Sequence, residues 1–216
     1  MWLIAFDVDG TIVEQPASSW RLIHILTGKV REAEENMKLF MEGKISYEEW
    51  AILDVKLWRG VRVDELDRKI EKMIRVMPGV DKLFKWLKKS GFKIALISSG
   101  VNLVVNKIAK KLEADIVETN IVKVRDGIIT GEVEVRVGYY NKGDVLKEVA
   151  KRLGVPGNRI IAVGDEENDI PMFKVASISI ALNPAKKKLW REAKYTVYTE
   201  NLENLIPVIA ALIAAR

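Results

Sequence analysis

The sequence predicts an α/β protein: a Rossmann-like parallel sheet core with an inserted α-helical cap domain and a β-hairpin insertion. Three observations lead to this fold class. Short apolar runs alternate with helical patterns over most of the chain, which is typical of a parallel sheet covered by helices. Residues 14–76 contain only helical patterns. Two alternating segments flank Asp126-Gly127, which is a strong hairpin signal.

The first strand is the apolar run WLIAF, of the kind expected when a strand is buried on both faces. Four predicted helices follow it, and the first three end at Gly28, Gly43 and Gly60. Ser46 and Glu49 form a capping-box pattern at the start of the third helix, and Asp64 is expected to cap the fourth. We therefore predict a Rossmann-like core of residues 1–13 and 77–216 and a four-helix cap domain of residues 14–76.

From residue 77 onward strands and helices alternate again. The predicted strands are FKIALIS, DIVETN, the hairpin segments IVKVR and IITGEVEV, RIIAV, SISIAL and YTVYT. The last segment, LIPVIAALIAAR, is too short to span a bilayer and is expected to form a helix packed on the sheet. Right-handed connections between such strands place helices on both faces of one parallel sheet.

The composition excludes several classes of protein. The chain has 216 residues, of which 49% are hydrophobic and 30% are charged, as expected of a globular protein. It has no cysteine, so disulfides, thiolate zinc sites and a cysteine nucleophile are excluded. A single glutamine among many Lys, Glu and Arg residues fits a thermophile. No signal segment is visible, so we expect a soluble, cytoplasmic protein.

The formal net charge of +5 comes partly from lysine clusters in DKLFKWLKKSGFK and PAKKKLWREAK. In both clusters the lysines alternate with apolar residues at helical spacing, which favours solvated helix faces over a nucleic-acid surface. We expect neither a nucleic-acid nor a membrane partner, and the oligomeric state stays open. A modest positive potential also suits an anionic small-molecule substrate.

Polar side chains collect where predicted strands end, and ligands bind at that edge of such a sheet. Carboxylates are hard oxygen ligands that suit Mg²⁺, whereas hydroxyl, ammonium and backbone N–H groups suit phosphate. A carboxylate of this kind can also attack phosphorus, and a neighbouring one can act as acid and base. The residues concerned are Asp7, Asp9, Gly10 and Thr11 after the first strand, Ser98 and Ser99, Lys142 at a helix start, and Asp165, Asn168 and Asp169.

These segments resemble the four motifs of the haloacid dehalogenase superfamily: DVDGT, Ser98, Lys142 and GDEEND. The segments MEGKISYEEW, VNKIAKKL and DGIITGEVE are most similar to phosphoserine phosphatases. The resemblance implies a phosphatase that hydrolyses a phosphate monoester through an aspartyl-phosphate. It assigns the roles as follows: Asp7 as nucleophile; Asp9 as acid/base; Asp7, Asp9 (backbone carbonyl) and Asp165 as Mg²⁺ ligands; Gly10, Ser98, Ser99 and Lys142 at the phosphate; Asn168 and Asp169 in support.

The chain departs from the phosphoserine phosphatases where those enzymes read the amino acid. Pro16 stands where they carry a glutamate for the amino group, and Asp54 stands where they carry an arginine for the carboxylate. Glu14 and Arg59 do not occupy the matching positions. These departures argue against specificity for phosphoserine. Two alternatives stay open: a phosphotransferase that passes the group to an alcohol or sugar, and a non-catalytic binding protein.

Four further residues have a structural and a functional interpretation. His24 is the only histidine, and a lone helical histidine favours a structural role. Trp20, Trp50 and Trp58 all lie in the predicted cap, where they are expected to pack its core. The alternative is that one or two of them face the active-site cleft.

Overall fold

The computed structural model describes residues 1–215, and its main feature is a seven-stranded sheet with helices on both faces. The strands are β1 (Leu3–Phe6), β2 (Val13–Gln15), β3 (Arg75–Val76), β4 (Lys93–Val101), β5 (Ile116–Arg125), β6 (Ile128–Glu134), β7 (Ile160–Gly164), β8 (Ile178–Leu182) and β9 (Tyr195–Val197). The main sheet has the order β6-β5-β4-β1-β7-β8-β9. Only the β5–β6 pair is antiparallel in it, so the predicted fold class is confirmed.

The helices follow the predicted alternation. They are α1 (Ser19–Thr27), α2 (Val30–Met41), α3 (Tyr47–Lys56), α4 (Val63–Met73), α5 (Val80–Lys89), α6 (Asn102–Leu112), α7 (Lys142–Arg152), α8 (Ile170–Val175), α9 (Lys187–Glu192) and α10 (Leu205–Ala214). None of the helices formed by residues 1–215 has both the length and the apolar character needed to cross a membrane.

The central strand β1 is buried on both faces because its side chains alternate between two apolar layers. Ile4 and Phe6 belong to the layer formed with α5, α6 and α10, whereas Leu3 and Ala5 belong to the layer formed with α7, α8 and α9. The register pairs Phe6 with Leu96 of β4 on one side and with Val163 of β7 on the other. The residues that follow these three strands therefore meet at one edge of the sheet.

Helices α1 to α4 are the four helices predicted between β1 and residue 77. The capping box of α3 is present, because Ser46 accepts the Glu49 N–H at 3.1 Å and Glu49 accepts the Ser46 N–H at 2.7 Å. The predicted cap of α4 is wrong. That helix begins at Val63, one residue before Asp64, and the Val63 N–H bonds to the hairpin carbonyl of Gly127 at 2.9 Å.

The two chain segments that connect β1 with α1 and α4 with α5 were predicted without strands, and this was wrong. They pair with each other as β2 and β3, antiparallel, with Val13 opposite Val76. Such a two-residue strand has no sequence signal of its own, because its pairing partner is supplied by the fold. The pair lies where the chain leaves the main sheet for α1 and returns from α4.

The hairpin turn is formed by Asp126 and Gly127, as predicted. Both residues have positive φ angles, 51° and 76°, as a two-residue type I′ turn requires. The hairpin also contacts the cap helices, which the sequence did not reveal. The Gly60 N–H donates to the Ile129 carbonyl at 2.9 Å, and the Ile129 N–H donates to the Val61 carbonyl at 3.0 Å.

The apolar interior of helices α1 to α4 is continuous with the hairpin and with the start of α6. Trp20, Trp50 and Trp58 are buried there, in the same cluster as Val104 of α6 and Ile129 of β6. The helices therefore rest on the edge of the sheet at which β1, β4 and β7 end.

Candidate active site

Asp7 follows directly after β1 at the edge where the parallel strands end. Its N–H donates to the Val163 carbonyl at 2.9 Å, so the parallel pairing of β1 with β7 extends one residue beyond the end of β1. The residue is 3% exposed. Burial raises the pKa of Asp7 to about 7, although the nearby Lys142 ammonium acts in the opposite direction. The position thus holds a carboxylate whose charge must be neutralised by its surroundings.

Lys142, the first residue of α7, supplies part of that neutralisation. Its Nζ atom lies 2.7 Å from Asp7 Oδ1 and 2.7 Å from Asp169 Oδ1, and its side chain is fully buried. Burial alone would lower the pKa of Lys142, but the two carboxylates raise it above its ordinary value. A buried ammonium is tolerated because it is paired on both sides. The prediction that this lysine joins the site, although 135 residues from Asp7, agrees with the geometry.

Asp165 follows β7 and faces Asp7 across the edge of the sheet. Oxygen atoms of Asp7, Asp165 and Asp169 all lie within 4.8 Å of one another. Burial raises the pKa of Asp165 well above its usual range, and the Asp7 and Asp169 charges raise it further. Thr11 donates its hydroxyl to Asp165 Oδ1 at 2.6 Å. A divalent cation neutralises carboxylates that lie this close together, and their oxygens serve as its ligands.

Asp169 has both carboxylate oxygens occupied. Oδ1 accepts from Lys142, whereas Oδ2 accepts the backbone N–H groups of Asp165 and Glu166 at 2.9 and 3.1 Å. Asp169 therefore holds the lysine and closes the loop 165–169. Asn168, from the same loop, lies 3.5 Å from the Ser99 hydroxyl, and its own Oδ1 is buried without a partner among residues 1–215.

Gly10 allows the first loop to approach Asp165 closely. Its φ angle is +88°, and a Cβ atom there would lie 2.2 Å from Asp165 Oδ2. The Gly10 N–H is already donated to the Val13 carbonyl at 2.9 Å. In this conformation Gly10 thus lets the first loop pass close to Asp165. Because its N–H is already bonded, it has no free backbone donor for the predicted contact with phosphate.

Ser98 and Ser99 lie near the end of β4, next to the first loop. Ser98 is buried, and its hydroxyl oxygen accepts the Gly100 N–H at 3.0 Å. No residue among 1–215 accepts its O–H, so this proton is available to a phosphate oxygen. The Ser99 hydroxyl donates instead to the Gly138 carbonyl at 3.0 Å.

The Ser99 carbonyl is held by three donors from outside β4. They are Trp20 Nε1 at 2.9 Å, the Tyr47 hydroxyl at 2.8 Å and Asn120 Nδ2 at 2.8 Å. Two of these donors come from cap helices. Trp20 thus packs in the cap cluster, as expected, with its ring centroid 4.7 Å from that of Trp50, and its indole N–H bonds to the backbone of β4.

His24 and Asp54 form a hydrogen-bonded pair inside the cap. His24 Nε2 lies 2.9 Å from Asp54 Oδ2, and Trp58 donates its indole N–H to His24 Nδ1 at 3.0 Å. Since Nδ1 accepts a hydrogen bond, Nε2 carries the ring N–H and donates it to Asp54 Oδ2. Asn36 donates to the other Asp54 oxygen at 2.8 Å. His24 is thus structural, as predicted, and Asp54 is committed to the cap interior.

The structure adds three residues that the sequence did not single out: Tyr47, Asn120 and Ser19. Tyr47 and Asn120 carried no signal, since they act through one carbonyl that only the fold brings near. Ser19, at the start of α1, donates both its N–H and its hydroxyl to Asp9 Oδ2, at 2.9 and 2.7 Å. A serine at a helix start normally predicts a cap and nothing more.

Comparisons with known proteins identify the family of this chain. The family model of the haloacid dehalogenase-like hydrolases matches residues 1–177. Phosphoserine phosphatase from Methanocaldococcus jannaschii is 34% identical over 208 residues, covering 96% of this chain and 97% of that protein. Phosphoserine phosphatase from Polaromonas sp. is 30% identical over 213 residues, covering 96% of this chain and 89% of that protein.

A solved structure gives the same result. The structure described as a phospho-aspartyl intermediate analogue of phosphoserine phosphatase superposes with a TM-score of 0.81 at 32% identity, covering 96% of this chain and 98% of that one. The chain therefore belongs to the haloacid dehalogenase-like hydrolases. Within them it is a phosphoric monoester hydrolase that resembles the phosphoserine phosphatases.

Proposed function

We propose that this protein is a Mg²⁺-dependent phosphatase that hydrolyses a small phosphate monoester of an alcohol through an aspartyl-phosphate on Asp7. The observation that carries the proposal is the buried Lys142–Asp7 pair, 2.7 Å long, beside the Asp165 carboxylate. This arrangement supplies a nucleophile and positive charge at the same place. The hydroxyl of Ser98 is a further donor for the phosphate.

Asp7 and Asp9 divide the chemistry in this proposal. A carboxylate oxygen of Asp7 attacks phosphorus, and the bond from phosphorus to the alcohol oxygen breaks. Asp9 gives its proton to that oxygen as it leaves. Asp9 then takes a proton from the water that attacks the aspartyl-phosphate, which releases inorganic phosphate and regenerates the Asp7 carboxylate. Lys142 offsets the repulsion between the Asp7 carboxylate and the phosphate dianion.

The donor set fits magnesium. Asp7 and Asp165 offer carboxylate oxygens, and we assign the Asp9 backbone carbonyl as a third ligand. The crowding of Asp7, Asp165 and Asp169 leaves negative charge that Lys142 alone does not balance. When bound, Mg²⁺ neutralises charge on the phosphate and on the attacking carboxylate. Asp169 is assigned to support, because both of its oxygens are occupied.

We further propose that the alcohol is not serine. Asp54, at the position of the expected arginine, is 1% exposed and bonded to His24 and Asn36 inside the cap. The aliphatic part of the Arg59 side chain lies against Gly131 of the hairpin. The aromatic side chains of Trp20 and Tyr47 approach the site instead. An uncharged leaving group suits this surface better than the two charges of an amino acid.

The test is hydrolysis of p-nitrophenyl phosphate and of a panel of alkyl phosphates that includes phosphoserine. We expect turnover with Mg²⁺, loss of turnover in EDTA, and at least a 1,000-fold loss in Asp7→Asn, in the range found for groups that act directly in catalysis (~10³ or more). Phosphoserine should rank below uncharged alkyl esters. Near-normal activity of Asp7→Asn would remove Asp7 as the nucleophile.

The same assay separates the alternatives. With glycerol added as acceptor, a phosphotransferase forms a new ester, whereas a phosphatase releases only inorganic phosphate. Absence of Mg²⁺-dependent turnover with every ester would contradict the proposal and favour a binding function.

A further inference from the structure

The carboxylate of Asp9 is held by the first residue of a cap helix. Ser19 begins α1, and it donates its backbone N–H and its hydroxyl to the same atom, Asp9 Oδ2. The other oxygen, Oδ1, is buried and has no partner among residues 1–215. One oxygen of the carboxylate is thus fixed by hydrogen bonds, whereas the other is left for a group that the protein itself does not supply.

Ser19 is itself fixed by the neighbouring strand. It is 1% exposed, and its hydroxyl oxygen accepts the Val101 N–H at 3.1 Å. The adjacent Gly100 leaves the room it needs, since a Cβ there would lie 2.2 Å from Ser19 Oγ and 2.8 Å from Asp9 Oδ2. The hydroxyl therefore joins the loop after β1, the start of α1 and the end of β4 at a single point.

We propose that Ser19 is a positioning residue for the acid/base Asp9: it holds Oδ2 so that Oδ1 faces the oxygen of the leaving alcohol. The inference rests on the proposed function. It also implies that the acid is fully assembled only when α1 is seated on the sheet, because the two donors lie on that helix. A general acid is effective only within hydrogen-bond reach of the oxygen that it protonates.

The dependence of kcat/KM on the leaving group tests this role of Ser19. An alkoxide leaves with difficulty unless it is protonated, whereas p-nitrophenolate leaves without a proton. The value of kcat/KM covers the steps up to departure of the leaving group. In Ser19→Ala we expect kcat/KM for the fastest alkyl phosphate of the panel to fall by at least ~10-fold, a part of the range (about 10²–10⁴-fold) that general acid catalysis contributes. We expect a fall of less than about threefold with p-nitrophenyl phosphate.

Two comparisons make the result specific. The ratio of the two kcat/KM values is independent of the folded fraction, so a partly unfolded variant still gives a valid answer. Ser18→Ala is the matched control, because Ser18 caps the same helix by accepting the Arg21 N–H at 3.2 Å. It should leave the ratio unchanged. Asp9→Asn should shift the ratio in the same direction as Ser19→Ala, and further.

An equal loss with both substrates in Ser19→Ala would overturn the proposal, because it would show a structural role only. A rise in alkyl phosphate hydrolysis would also overturn it, since Ser19 would then hold Asp9 away from the substrate. If the unmodified protein cleaves none of the esters, the proposed function fails instead, and that result is visible before any variant is made.

Discussion

At the scale of single residues, Lys142 shows how one contact decides a role. A lone lysine in a sequence is most often a surface residue, and three other lysines of this chain, Lys147, Lys151 and Lys174, follow that rule. Lys142 is fully buried because Asp7 and Asp169 each accept one of its N–H groups. Its charge is needed by both carboxylates, so its removal affects the site and the stability together.

We predict that Lys142→Met lowers kcat/KM by at least ~100-fold, the loss typical of a group that stabilises transferring charge. The free energy of unfolding should also fall, by about 3–5 kcal/mol, because two buried carboxylates lose their partner. Steady-state kinetics and urea unfolding measure the two effects. Lys147→Met on the same helix is the control, since Lys147 is exposed and pairs only with Asp144. Activity within tenfold of the unmodified protein would show that the phosphate binds elsewhere.

At the scale of elements, the interior of the cap depends on a polar network that joins three helices. His24 lies on α1, Asn36 on α2 and Asp54 on α3, and Trp58 follows α3. Each Asp54 oxygen accepts a hydrogen bond, so neither oxygen of this buried carboxylate is left unpaired. An arginine at position 54 would leave His24 and Asn36 without their acceptor, so this position is committed to the cap interior.

We predict that Asp54→Ala lowers the free energy of unfolding by about 2–4 kcal/mol, because the buried His24 and the partly buried Asn36 lose their acceptor. Urea unfolding followed by circular dichroism measures this loss. Asp64→Ala is the control: Asp64 is exposed and pairs with Arg62, so its urea midpoint should stay close to that of the unmodified protein. Equal midpoints for Asp54→Ala and the unmodified protein would show that the network contributes little.

At the scale of the whole molecule, the site exists only because distant segments meet. Asp7 and Thr11 follow β1, whereas Asp165 follows β7, and the parallel register of the two strands brings their ends together. Without a cation, the folded state holds Asp165 at a raised pKa. The folded protein therefore binds that proton more tightly than the unfolded chain, and the ionised carboxylate opposes folding at neutral pH.

Asp165→Asn should raise the melting temperature in EDTA at pH 7.5 by roughly 2–4 °C, since about 1 kcal/mol corresponds to that shift in a chain of this size. Mg²⁺ should raise the melting temperature of the unmodified protein, because it binds only the folded state, and should have little effect on the variant. Differential scanning fluorimetry gives both values. Asp144→Asn, which removes an exposed carboxylate on α7, should change neither value. A lower melting temperature of Asp165→Asn in EDTA would contradict the assumed repulsion.

The sequence by itself determined the helices, the residues that gather at one edge and the strands of the main sheet, except that it divided the single strand β5 (Ile116–Arg125) into DIVETN and IVKVR. These features follow from local patterns: apolar runs for buried strands, the Asp-Gly turn of the hairpin and polar residues directly after strands. The same patterns placed Asp7 and Asp165 together, because the ends of parallel strands share one edge, and the family resemblance added Lys142. Local chemistry also determined the capping box of α3.

Only the tertiary structure decided which donors meet which acceptors. The β2–β3 pair, the start of α4 at Val63 and the contact between the cap and the hairpin all depend on partners far along the chain. The same is true of Ser19 on Asp9 and of Asp54 in the cap interior. A hydrogen bond requires two atoms within about 3 Å, and for residues distant in sequence that separation is fixed by packing rather than by any local pattern.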